Sequence, residues 1–206
     1  MKKTLLTISL WIASGLALAA PLLREGDIVF LSEKGNFAKA IQLATHSPYN
    51  HVGMVFFLKG QPFVFEAVGP VQFTPLDRWV KRSKDGRFAA KRLKNADAIW
   101  TKEALGKLEA LTRKYKGKPY SWTFDWSDQK MYCSELVWKL VKGSTGLEVG
   151  AFQKMRDLDL SNPLVQKELK GHFGKFIPGG LELISPAQIF NSNLLEPVPQ
   201  SPEVSP

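Results

Sequence analysis

Two apolar runs, Val52 to Leu58 and Phe63 to Val68, are parted only by Lys59-Gly60-Gln61-Pro62. Each run is short and rich in valine and phenylalanine, and a four-residue spacer holding glycine and proline has room for a tight turn and little else. The pattern predicts an antiparallel hairpin, and that commits the chain to a sheet. Arg24-Glu25-Gly26-Asp27 reads as a turn feeding a further buried strand, Ile28 to Leu31, and Arg87 to Leu93 as another.

The remaining periodicity is helical. Phe37, Ala40, Ile41 and Ala44 recur on one face of Asn36 to Thr45. Thr101 can cap a helix whose Leu105, Leu108, Leu111 and Tyr115 lie on or near one side, ending around Gly117-Lys118-Pro119. A helix starting near Cys133 turns Leu136, Val137 and Leu140 inward and is expected to end at Gly143. Ser161-Asn162-Pro163 and Ser185-Pro186 each set a capping side chain beside a proline suited to a first helical turn. Strands followed by helices predict an α+β domain, a small antiparallel sheet or barrel packed against helices.

The ends carry different signals. Residues 1–19 join Lys2 and Lys3 to a short apolar run closing on Ala17-Leu18-Ala19, the pattern of a secretory signal peptide, so a periplasmic location is expected. Residues 20–190 are then one domain. Residues 191–206, with prolines at 197, 199, 202 and 206, read as a disordered tail. The formal charge of +9 includes the two signal lysines. Outside the cytoplasm such a surface favours anionic lipid headgroups or the acidic cell-wall polymer over nucleic acid, for which no recognition motif is present. Lysines that merely solvate the surface are the plainer alternative.

Cys133 is the single cysteine, so an oxidising compartment offers it no internal disulfide. It is either a small buried hydrophobe or a reactive thiol. At a helix start, unpaired amides and the helix dipole favour a thiolate, and a nucleophilic thiolate needs a histidine base with a polar group to hold the imidazole. Of three histidines, His172 lies in the glycine-flanked, basic stretch LKGHFGKF, expected as a loop, and His46 follows the first helix where turn chemistry accounts for it. His51 opens the strand HVGMVFFL, a rigid element able to aim its ring. Glu66 sits in the apolar strand FVFEAV, where a carboxylate requires a partner. A loop centred between Gly60 and Gln61 would set Glu66 opposite Val55, however, so spacing leaves a His51–Glu66 contact open. A zinc site of His46, His51, Glu66 and Cys133 is a weaker alternative, because the HxxxxH spacing lacks the logic of HExxH on a helix. Tyr120, Trp122, Phe124 and Trp126 alternate, and in an extended segment would face one way, either lining a substrate groove or closing the core.

GDIVF, AIQLATHSPYNHVGM, FVFEAVGPVQFTPL, GKPYSWTFDWSDQKMYCSELVWK and ISPAQIF, in this order, resemble the YiiX/YebB-like group of permuted papain-fold hydrolases within the NlpC-type superfamily. The resemblance covers nearly all of the chain after residue 19. It implies a circularly permuted papain-like fold in which histidine and its partner precede the nucleophile, which assigns His51 as general base and acid, Glu66 as its orienting group and Cys133 as nucleophile. It also implies a cysteine amidase or peptidase-type hydrolase working through an acyl-enzyme, without metal or cofactor. The substrate would be a cell-envelope lipid amide or ester, slightly favoured over a peptidoglycan peptide. A binding module on the same fold, holding a cell-wall or lipid ligand without turnover, is the alternative of a different class.

Overall fold

The computed structural model describes residues 22–199; the expected signal segment 1–19 lies outside them, as does the end of the chain after residue 199. In chain order the elements are β1 (Ile28–Glu33), α1 (Asn36–Thr45), β2 (His51–Leu58), β3 (Gln61–Ala67), β4 (Val71–Pro75), α2 (Leu76–Val80), β5 (Ser83–Leu93), α3 (Ala96–Ile99), α4 (Lys102–Tyr115), α5 (Cys133–Thr145), β6 (Gln153–Lys154), α6 (Pro163–Phe173), β7 (Glu182–Leu183), α7 (Pro186–Phe190) and β8 (Leu195–Pro197). Six strands form one open antiparallel sheet in the order β4-β3-β2-β1-β5-β8, while β6 and β7 pair separately. The sheet does not close into a barrel.

The hairpin is tighter than its spacer suggested. Leu58 pairs with Gln61, so Lys59 and Gly60 alone make the turn, both at positive φ (52° and 76°), the conformation that matches the twist of paired strands. Gln61 and Pro62 belong to β3. This moves the register by two residues along β3 relative to a four-residue loop: Val55 pairs with Val64 and Met54 with Phe65. Glu66 therefore comes level with Gly53 rather than Val55, and Gly53 shares a sheet face with His51. The strands also approach closely at Gly53, where an added Cβ would lie 2.4 Å from Val64 Cγ1.

One face of the sheet carries Ile28, Phe30, Val52, Met54, Phe56 and Phe65 into the main core, shared with Leu108 of α4 and Leu136, Val137 and Leu140 of α5. The opposite face is covered more thinly. There Val29, Leu31, Val55 and Val64 pack around Trp79 of α2. Neither β4 nor α2 was expected from the sequence.

Helix ends follow their capping residues: Thr101, Asn162 and Ser185 each accept a backbone N–H of the following turn. Three expectations are corrected. The helix from Cys133 runs through Gly143, which lets Leu111 approach, and ends at Gly146, whose φ of 80° suits glycine. His172 belongs to the last turn of α6 rather than to a loop. Residues 191–199 are not a disordered tail, because β8 pairs with β5 through Lys91–Pro197 to Leu93–Leu195, its prolines tolerated on an edge strand.

Candidate active site

Cys133 is the first residue of α5, and His51 the first of β2; both are almost fully buried, with 3% and 4% of their surfaces exposed. The two side chains lie close enough to interact, the Val52 backbone also neighbours the sulfur, and Ser134 Oγ stands 3.7 Å from it. His51 Nε2 lies 2.6 Å from Glu66 Oε2. That leaves Nδ1 as the nitrogen facing the thiol, so the imidazole stands between thiol and carboxylate. The corrected register explains the contact, since Glu66 is a diagonal cross-strand neighbour of His51.

Glu66 is more heavily held than an orienting group requires. Thr74 Oγ1 donates to Oε1 at 2.6 Å, Trp79 Nε1 to Oε2 at 2.9 Å, and Arg82 donates through both terminal nitrogens, Nη1 at 2.9 Å. Arg82 Nε forms an ion pair with Glu33 at 2.9 Å. Sequence reading missed Thr74, Trp79 and Arg82, because they come from the unforeseen β4 and α2 and the turn that follows. No local signal marked Arg82, which follows Lys81 directly and stands among Arg78, Lys84 and Arg87.

The electrostatics follow from this cluster. Burial alone would raise the Glu66 pKa, but the His51 and Arg82 hydrogen bonds and charges bring it down to about 2. Burial likewise opposes a charge on His51, and its bonds to Cys133 and Glu66 overcome this, raising it to about 10. Burial pushes the Cys133 thiol up, whereas the His51 hydrogen bond and charge pull it below its ordinary value. The resting site is thus a thiolate-imidazolium pair. Tyr120 also hydrogen-bonds Cys133, and burial with the adjacent negative charge raises its own pKa, so its hydroxyl stays protonated beside the sulfur.

The start of α5 is fixed by Glu135, which accepts the backbone N–H groups of Tyr132 and Ser127 and the Lys139 ammonium at 2.8 Å. Burial raises the Glu135 pKa to about 7 against the pull of Lys139. Tyr132 in turn accepts the Ile184 N–H on its hydroxyl oxygen, anchoring the helix start to the segment before α7.

Two hollows adjoin here, one lined by Cys133 and the other by His51. One, about 650 Å³ with its mouth, runs from Cys133 between α1 and α6, with Ala40, Ala44, Met155, Val165 and Leu169 among its almost wholly apolar walls. The other, about 390 Å³, opens on the His51 side against Glu33 and Trp122. Tyr120, Phe37 and Ile41 line both.

The four aromatics do not share one face. Tyr120 bridges to Met131, and residues 121–130 form a loop between them, turned by Asp125 accepting from Ser121 and Thr123 and by Phe124 at φ 54°. Tyr120 and Phe124 line the apolar hollow and Trp122 the other; Trp126 lines neither, packing instead on Trp138 and Phe152 under Lys139. Of the four residues of the zinc alternative, Cys133, His51 and Glu66 come together without forming a metal-holding group, and His46 stands apart. His46 sits at the C-terminal end of α1, paired with Asp159 at 3.3 Å, its side chain 75% exposed.

Residues 22–198 match the model of a family described as permuted papain-like amidase enzyme, YaeF/YiiX, C92 family. YiiX of Escherichia coli strain K12 is 40% identical over 198 residues, 96% of each chain. A crystal structure described as that of the metalloprotein yiiX from Escherichia coli O157:H7 superposes with a TM-score of 0.81 at 42% identity, covering 86% of this chain and 97% of the other.

Proposed function

Since the chain belongs to the C92 family of permuted papain-like amidases, a family of cysteine hydrolases, we propose that it hydrolyses an acyl amide or ester of the cell envelope, with Cys133 as nucleophile, His51 as acid and base, and Glu66 as orienting group. The observation that carries the substrate class is the apolar hollow that begins at Cys133. Walls of alanine, methionine, valine and leucine offer a peptide no hydrogen-bonding partners, whereas an alkyl chain needs none.

In the first step the Cys133 thiolate attacks the carbonyl carbon. The oxygen takes up the negative charge, facing the unpaired amides at the start of α5 and the Tyr120 hydroxyl. The C–N or C–O bond then breaks as His51 Nδ1 gives its proton to the leaving atom. The thioester that remains is attacked by water, which yields its proton to His51; the C–S bond breaks and the thiolate-imidazolium pair returns. Glu66 holds the ring in place throughout and stabilises its charged form.

The metal in the description of the Escherichia coli structure does not find a ligand set here. Among the described residues no three histidine, cysteine, aspartate or glutamate side chains gather to hold one, and His51 already spends its ring nitrogens on Glu66 and Cys133. No step is routed through a metal.

Export to the envelope is part of the proposal and is supported by residues 1–19. Peripheral binding to an anionic membrane is supported by the net charge, +9 less the two lysines of residues 1–19 or +7, and by Phe176, 79% exposed next to Lys175. The test is a series of acyl amides of increasing chain length, run beside purified peptidoglycan. The acyl reading expects kcat/KM to rise about fourfold per methylene, from roughly 0.8 kcal/mol each, until the hollow is filled. Efficient release of peptide from peptidoglycan, with indifference to chain length, would overturn it.

A further inference from the structure

The hollow on the His51 side answers a question that the acyl chamber leaves open, namely what is attached to the acyl group. In the reaction just described the acyl group stays on sulfur, so it occupies the side lined by Cys133. The leaving atom must receive its proton from His51, which lines the other hollow and not the first. Tyr120, Phe37 and Ile41 form the shared wall where the scissile bond would lie.

The leaving-group hollow has a definite charge. Glu33 lines it, and no lysine or arginine does. Arg82, the cation behind it, is divided: both terminal nitrogens serve Glu66 and only Nε reaches Glu33. In the resting site Glu33, Glu66 and the thiolate outnumber Arg82 and the imidazolium. After acylation the thiolate has become a neutral thioester and His51 has given up its proton, yet the two carboxylates still outnumber the one guanidinium. The excess stays negative through the cycle. The backbone of Glu33 is fixed on the rim, its N–H donating to Asn50 Oδ1 at 2.9 Å and its carbonyl accepting from Asn50 Nδ2 at 3.2 Å. Its carboxylate reaches far enough to raise the pKa values of both His51 and Tyr120.

We propose that this hollow is the leaving-group site and that Glu33 selects substrates whose leaving amine carries a second, cationic group a few bonds from the scissile nitrogen, as a diamine does. The proposal rests on the acyl-hydrolase reading above. An anionic leaving group, such as an amino acid bound through its nitrogen, meets the excess negative charge and is disfavoured.

The test uses three decanoyl amides that differ only in the leaving group: 1,3-diaminopropane (cationic), 3-aminopropanol (neutral) and β-alanine (anionic). The expected order of kcat/KM is cationic, neutral, anionic, with the cationic substrate favoured over the neutral one by about tenfold. Because Glu33→Gln also frees Arg82 Nε and can slow all three, the readout is the ratio within each variant, and in Glu33→Gln the cationic-to-neutral ratio should fall close to one. On the unaltered protein, 1,3-diaminopropane should protect Cys133 from iodoacetamide better than 3-aminopropanol does. An unchanged ratio in Glu33→Gln, an anionic substrate turned over as well as the cationic one, or equal protection by the two amines would overturn the proposal. Failure of all three amides with selective protection retained would instead count against the acyl substrate and leave the charge preference of the hollow standing.

Discussion

The two sides of Cys133 are built on opposite principles. On the sheet side, every strong donor within reach converges on one carboxylate: Glu66 takes His51, Thr74, Trp79 and two nitrogens of Arg82. On the helix side, α1 and α6 pack together beside a hollow lined by small and flexible apolar side chains, with a clasp of Phe37, Trp122 and His172 joining them. The first arrangement has one solution, since a buried carboxylate and guanidinium are costly in any other geometry. The second tolerates substitution wherever volume is kept. The contrast teaches that catalytic power and substrate choice can change separately here: damage to the sheet side should cost rate for every substrate, and changes to the helix side should redraw preference.

The largest effect should come from Glu66→Gln, which leaves Arg82 without its buried anion. Because Arg82 is partly exposed and keeps Glu33, the cost should fall below the roughly 3–5 kcal/mol of breaking a fully buried pair, measurable by chemical denaturation. The rate should fall by about 100-fold or more for all acyl lengths alike, as positioned proton transfer is lost. The pH dependence sharpens the point. With a folded pKa of about 2 against an ordinary 4.5, Glu66 contributes stability that is complete above the ordinary value and is lost as pH falls through about 2. Glu66→Gln should remove that acid-limb contribution. A variant that denatures in acid like the parent would show the cluster to be weaker than its geometry implies.

Ala40→Phe should break the symmetry from the other side. The larger ring enters the apolar hollow from α1 at a stability cost of about 1–3 kcal/mol. Turnover of decanoyl substrates should fall while short acyl substrates are spared, a crossing of rates that no global defect produces. Equal loss for short and long chains would mean that the hollow is not the acyl site.

The smallest effect is expected of Trp126→Ala. Its ring packs on Trp138 and Phe152 and lines neither hollow, so stability should drop and the dependence of kcat/KM on acyl length should stay as it was. A flattened dependence would return Trp126 to the substrate groove.

Sequence reading located four strands, the helices with strong caps, Cys133 and His51, because each leaves a local mark: an apolar run, a capping side chain, a lone thiol at a helix start. It did not locate what depends on register and on weak elements. Whether Glu66 met His51 turned on Lys59 and Gly60 alone forming the turn. Arg82, Trp79 and Thr74 were invisible because a strand of five residues and a helix of five carry too little periodicity to announce themselves. The aromatic run misled for a related reason, since its alternation assumed extension, whereas Phe124 takes a left-handed turn. Prolines at 197, 199, 202 and 206 suggested disorder from residue 191, but β8 ends on Pro197, which an edge strand accepts.

One measurement addresses both sides of the sulfur at once: the rate of Cys133 alkylation by iodoacetamide and by N-decyl iodoacetamide, followed by intact mass from pH 5 to pH 10. A thiolate held by His51 beside an apolar chamber predicts labelling well below the pH of about 8.5 at which a free thiol ionises, a decyl reagent faster than the short one, and loss of the low-pH labelling in His51→Ala. Reactivity that appears only near pH 8.5 and above, with the two reagents equal, would contradict the account.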